Sequence, residues 1–109
     1  MPNEIKNLED FDREVVLASA DKPVVVIVSA SWCGPCKIVK PVLIALGEKH
    51  DFPLVSIDGS SERALSSHLG VRSVPTMMVY RNGQEIKRWS GARSEADLTK
   101  TLAELGVLR

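Results

Sequence analysis

The run Val24-Val25-Val26-Ile27-Val28 is apolar and β-branched at every position, with no polar residue to mark a solvent face. It reads as a central strand covered by helices on both sides. Ahead of it, Asn7 with Asp10 three residues on marks a helix start, and Leu8, Phe11, Val15, Val16 and Ala18 keep one face apolar to about Ala20. Asp21-Lys22-Pro23 breaks that helix, and Glu4-Ile5-Lys6 before it is a candidate edge strand. After the run, Ile38, Val39, Val42, Leu43, Ala45 and Leu46 recur at helical spacing from about Cys33 to Lys49. Pro41 interrupts this helix, and Gly47 with the polar Glu48-Lys49-His50-Asp51 closes it.

Leu54-Val55-Ser56-Ile57 is the next expected strand and Asp58-Gly59 its exit. Ser60 or Ser61 is expected to cap a helix carrying Ala64, Leu65 and Leu69, with Gly70 as its stop. Thr76 to Tyr80 and Glu85 to Trp89 form an antiparallel hairpin around Asn82-Gly83, and Gly91 ends it. Ser94 with Asp97 opens a last helix, expected to bury Leu98, Leu102, Ala103, Leu105 and Val107. Strands thus alternate with helices, which makes the fold class α/β.

Length and charge narrow the setting. The 109 residues suit one domain, 1–109, that buries a core without staples. Fourteen basic residues balance fourteen acidic ones, so neither a nucleic acid nor an anionic membrane is an expected partner. Met1-Pro2-Asn3-Glu4-Ile5-Lys6-Asn7 has no apolar signal core, and the longest apolar run is too short to span a bilayer. Arg81, Lys87, Arg88 and Arg93 read as a solvated basic rim, and His50 and His68 as surface residues.

The candidate chemistry lies in Trp32-Cys33-Gly34-Pro35-Cys36-Lys37, which holds both cysteines of the chain. With both spent on one motif and none left for structural bridges, a reducing cytoplasm is the expected home. A helix starting at Cys33 puts its sulfur beside unbonded N–H groups at the positive end of the helix dipole, which favours thiolate over thiol. Cys33 is therefore the expected nucleophile, more acidic and more accessible than Cys36. Cys36 falls about one turn on, near enough to form a disulfide after a small tightening. Pro35 suits a first helical turn, and Gly34 leaves the flank of the sulfur open. The implied reaction is exchange: Cys33 attacks a disulfide in another molecule and Cys36 resolves the mixed disulfide.

Other uses of a C-x-x-C pair fit less well. A closed zinc site needs two more ligands, and His50 and His68 are too widely spaced for a finger. Haem attachment wants a histidine where Lys37 stands. A purely structural disulfide across so short a loop removes little chain entropy. No metal and no bound cofactor is expected beyond the redox-active Cys33-Cys36 disulfide itself.

The chain resembles the thioredoxin family over nearly its whole length, through Trp32 to Lys37, Pro41, Val71-Arg72-Ser73-Val74-Pro75-Thr76, Asn82-Gly83 and Gly91. The resemblance implies a central mixed sheet of five strands flanked by four helices, and a cis peptide bond before Pro75, packed against the dithiol. It implies a flat apolar docking surface framed by Trp32, Gly34, Pro35, Val74, Pro75 and Gly91, with the backbone of Val74 free to pair with an extended substrate segment. It further implies a monomer that reduces disulfide-containing proteins and is itself recharged by an NADPH-dependent thioredoxin reductase.

The chain departs from that family where mechanism is concerned. Ile27 stands where thioredoxins usually bury an aspartate beneath the second cysteine, and Leu54 where a lysine usually accompanies it. Ile27 can take no proton from Cys36, so resolution would rely on water or on the departing thiolate. Ser29 stands where an aromatic is often found, within possible reach of Asp58. Ile27, Leu54, Lys37 and Asp58 are thus the expected modulators of the dithiol. Two other readings stay open: an oxidase or isomerase on the same fold, and a non-enzymatic accessory or binding module.

Overall fold

A computed structural model describes residues 2–108; Met1 and Arg109 lie outside the described residues. The central strand expected from the valine run is β2 (Val24–Ser29), and all six of its residues are buried. Its alternation sorts two core layers. Val25 and Ile27 face one side with Val39, Leu43, Leu98 and Leu102, while Val24, Val26 and Val28 face the other with Phe11, Val15 and Leu65. Helices cover both faces, so neither parity of the strand needed a polar residue.

Four strands join β2: β1 (Asn3–Glu4), β3 (Leu54–Asp58), β4 (Thr76–Arg81) and β5 (Gln84–Ser90), in the spatial order β1-β3-β2-β4-β5. β3 runs parallel to both β1 and β2, whereas β4 is antiparallel to β2 and β5 to β4. This is the mixed five-stranded sheet that the resemblance implied. β1 falls one residue earlier than expected; Ile5, just past it, donates its N–H to the Ser56 carbonyl at 2.8 Å and buries its side chain with Phe11 and Val15.

Four helical segments flank the sheet. α1, residues 8–20, begins as α-helix over Leu8–Phe11, widens to a π-helix over Asp12–Leu17 and tightens to a 3-10 turn over Ala18–Ala20. Asn7 caps it as expected, accepting the Asp10 N–H at 2.8 Å. The change of pitch carries Ala18 off the expected apolar face into solvent and turns Ser19 inward, while Leu8, in the first turn ahead of it, is exposed. α2 (Gly34–His50) keeps Pro41 inside it and ends at Asp51 in the left-handed region. Gly47 is therefore no terminator; it lets Phe52 approach, whose carbonyl would lie 3.4 Å from any Cβ added there.

α3 (Arg63–His68) is not capped by Ser60 or Ser61, because Ser60 instead closes the strand exit by donating to the Asp58 carboxylate at 2.6 Å. Ala64 is exposed on this helix. In α4 (Glu95–Glu104) the Asp97 N–H donates to Ser94 as expected. Leu98, Leu102 and Val107 are buried, Leu105 is half-buried, and Ala103 faces solvent because one residue is a 100° step around the helix from Leu102.

Three of the four basic residues read as a rim are anchors instead, while Lys87 is exposed as expected. Arg81 donates to the carbonyl of Leu105, Arg88 donates to Leu69 and pairs with Glu85, and Arg93 lies over the Trp89 ring. Ser19 makes the corresponding tie on the other side, donating to Val16 and accepting the Gly83 N–H, both at 2.8 Å. Ser19→Ala is expected to cost about 1–2 kcal/mol by leaving that N–H unpaired. A urea titration should show a lower midpoint with an unchanged slope.

Candidate active site

β2 ends at Ser29, and the chain turns through Ala30-Ser31-Trp32 into α2, so the dithiol sits at the carboxyl end of the central strand. Open α/β sheets commonly carry their sites there. Cys33 is the N-cap of α2, in extended conformation, and its Sγ accepts the Cys36 N–H at 3.2 Å. The sulfur thus occupies the place a serine or aspartate oxygen would take at a helix start, where the dipole favours negative charge. Pro35 lies in the first turn, where its missing N–H leaves no bond unmade.

Cys33 and Cys36 are joined in a disulfide with Cα atoms 5.3 Å apart. Both residues are nearly covered, 4% and 3% exposed, so in this oxidised state accessibility does not distinguish them as the sequence suggested. The asymmetry lies in the hydrogen bonding. Ala30 and Val74 pack against the pair.

The expected docking residues converge on one end of the sheet. Trp32 is 72% exposed, and a Cβ added at Gly34 would meet nothing within 4 Å. The Val74–Pro75 bond is cis, Pro75 is buried, and its carbonyl accepts the Gly91 N–H at 2.9 Å. Among the described residues neither backbone group of Val74 has a hydrogen-bond partner. Ile38 was read from sequence as part of the inner face of α2, yet it is 69% exposed. It follows Pro35 by three residues and so lies on the same side of the helix. Periodicity cannot separate an exposed apolar residue from an apolar core residue.

The residues expected to modulate the dithiol divide into two groups. Ile27 is fully buried, in register with Ser56 on one side and Met77 on the other. Leu54 is half-buried and packs against the same core layer. Lys37 and Asp58 instead line a groove of about 410 Å³ beside Cys36, with Ser29, Lys40 and Ser56. Asp58 sits in register with Ser29, but its carboxylate accepts from the Ser60 hydroxyl and N–H. The Ser60 hydroxyl is the main cause holding the Asp58 carboxyl below the usual carboxylate range, helped by the charge of Lys40. Lys40 and Ser56 were not singled out from sequence; Lys40 follows Cys36 by four residues, a spacing that places both on one helix face.

The thioredoxin family model matches residues 3–104. The chain belongs to the thioredoxin family. It is 38% identical over 106 residues to thioredoxin of Gallus gallus, covering 96% of this chain and 99% of that one. It is also 37% identical over 89 residues to a bifunctional thioredoxin reductase/thioredoxin of Mycobacterium leprae, covering 80% of this chain and 19% of that protein. Among solved structures, a mutant thioredoxin from Halobacterium salinarum superposes with a TM-score of 0.84 at 29% identity, covering 94% of this chain and 88% of that one. Thioredoxin of Fasciola hepatica does so at 0.85 and 24% identity, covering 94% and 97%. The chain is accordingly a thiol-disulfide oxidoreductase, a thioredoxin-type protein-disulfide reductase, and its redox group is its own Cys33–Cys36 disulfide. No helix among the described residues is long and apolar enough to cross a membrane.

Proposed function

We propose that Cys33 is the attacking nucleophile and Cys36 the resolving thiol of a one-domain reductase. The observation that carries this is the N-cap position of Cys33, whose sulfur accepts the Cys36 N–H and faces the helix dipole. In the reduced protein the Cys33 thiolate attacks one sulfur of a substrate disulfide, and the other sulfur leaves with the electron pair. Cys36 then attacks the Cys33 sulfur, restoring the Cys33–Cys36 bond and releasing the second substrate sulfur.

Trp32, Gly34, Pro35, Val74, Pro75 and Gly91 receive the substrate. The exposed Trp32 and Ile38 supply apolar contact, while the unpaired backbone of Val74 supports strand addition by an extended segment. An NADPH-dependent thioredoxin reductase restores the dithiol; the Mycobacterium leprae relative, whose name joins a reductase and a thioredoxin in one chain, supports such a donor. The protein works as a monomer in the cytoplasm; the compartment is supported by the spending of both cysteines on one motif.

The deciding experiment is trapping. A Cys36→Ser chain, reduced and then offered a disulfide-bonded protein, is expected to accumulate a mixed disulfide that peptide mapping places on Cys33. Failure to accumulate it, or a bridge formed equally well by Cys36 in a Cys33→Ser chain, would overturn the assignment.

A further inference from the structure

The two cysteines have unequal needs. Cys33 accepts the Cys36 N–H at its cap, whereas Cys36, the third residue of α2, receives no hydrogen bond on its sulfur among the described residues. The residue at position 27 is an isoleucine with no exposed surface, so no carboxylate below the dithiol takes a proton. The groove beside Cys36 is lined by the polar side chains of Ser29 and Ser56 and is roomy enough for several waters at about 30 Å³ each. The charged groups facing it are Lys37 and Lys40 from α2, Asp58 from β3 and Glu4 from β1. Among the described residues Lys40 makes no hydrogen bond or ion pair, so its ammonium is free to serve another charge.

We propose that Cys36 loses its proton into this groove, and that Lys40 stabilises the resulting thiolate while Asp58 opposes it. The proposal rests on Cys36 being the resolving thiol. The Cys36 proton passes to groove water and on to solvent. The thiolate then attacks the Cys33 sulfur of the mixed disulfide, the Cys33–Cys36 bond forms, and the bond from Cys33 to the substrate sulfur breaks. The electron pair leaves on that sulfur, which takes a proton from solvent. Lys40 is here a positioning charge, acting through Cys36. Asp58, like any carboxyl at or below the usual carboxylate range, is ionised at neutral pH, and the Ser60 hydroxyl lowers its pKa further.

The two charges make opposite predictions, which a merely structural role would not. In a Cys33→Ser chain, where only Cys36 titrates as a thiol, ultraviolet thiolate absorbance should show Lys40→Met raising the Cys36 pKa by roughly half a pH unit or more. Asp58→Asn should lower it, and Lys40→Arg should leave it near the parent value. With both cysteines present, each unit of rise lowers the thiolate fraction tenfold. The more basic sulfur regains about threefold in nucleophilicity, so release of a Cys33 mixed disulfide slows about threefold below that pKa. Shifts of the same sign in Lys40→Met and Asp58→Asn, or none in either, would overturn the proposal. A chain that forms no Cys33 mixed disulfide at all would refute the functional reading instead, whatever the titration shows.

Discussion

Replacing Cys33 with serine is expected to abolish disulfide reduction, a loss on the order of a thousandfold or more, while leaving the fold of the reduced protein intact. The two effects separate because of where the residue sits. Serine is among the best N-cap residues, and its hydroxyl can accept the Cys36 N–H that the Cys33 sulfur accepts at 3.2 Å. What it lacks is ionisation: a hydroxyl at a helix end is still a poor nucleophile at neutral pH, whereas a thiol there is substantially thiolate. Turnover of a disulfide-bonded protein should fall to background, with a urea midpoint matching that of the reduced parent. Retained turnover would show that the reaction runs through some other group.

Ile27→Asp is expected to destabilise the fold by about 3–5 kcal/mol at neutral pH. Position 27 has no exposed surface, its neighbours in register are Ser56 and Met77, and Leu54 offers no cation. Burial penalises the charged carboxylate, so the folded pKa rises above the unfolded value of about 3.9. The native state then binds the proton more tightly than the unfolded chain does. The penalty is smallest below about pH 4 and grows as pH rises from there to the raised folded pKa. Urea midpoints should therefore drop between acid and neutral pH far more steeply than those of the parent. The same substitution should add a new transition to the pH profile of disulfide reduction. An unchanged profile would mean that the isoleucine is not what limits proton transfer from Cys36.

Much of this structure could be read from the chain because it is decided locally. The strand at Val24 needs only its own run of β-branched residues, the caps at Asn7 and Ser94 need only a partner three residues on, and Asn82-Gly83 turns its own hairpin. What escaped the sequence depends on contacts between distant segments. Ser19 turns inward to meet Gly83, 64 residues away, and Gly47 is small because Phe52 presses on it. Ser60 looks like a helix cap until Asp58 claims its hydroxyl. The dithiol could be placed because its spacing carries the chemistry. The groove beside Cys36 could not, since β1, β3 and α2 each contribute to it and no one segment announces it.

The sheet's margins bear on which segments of other chains it admits. β1 is only two residues long, and β5 carries Glu85, Lys87 and Arg88, charges that discourage a foreign strand from extending the sheet. Val74 offers an unpaired stretch of main chain at the sulfur end of the molecule. On the proposed docking mode, a visiting polypeptide is turned away where pairing would lead to aggregates and received where it brings a disulfide within reach of Cys33.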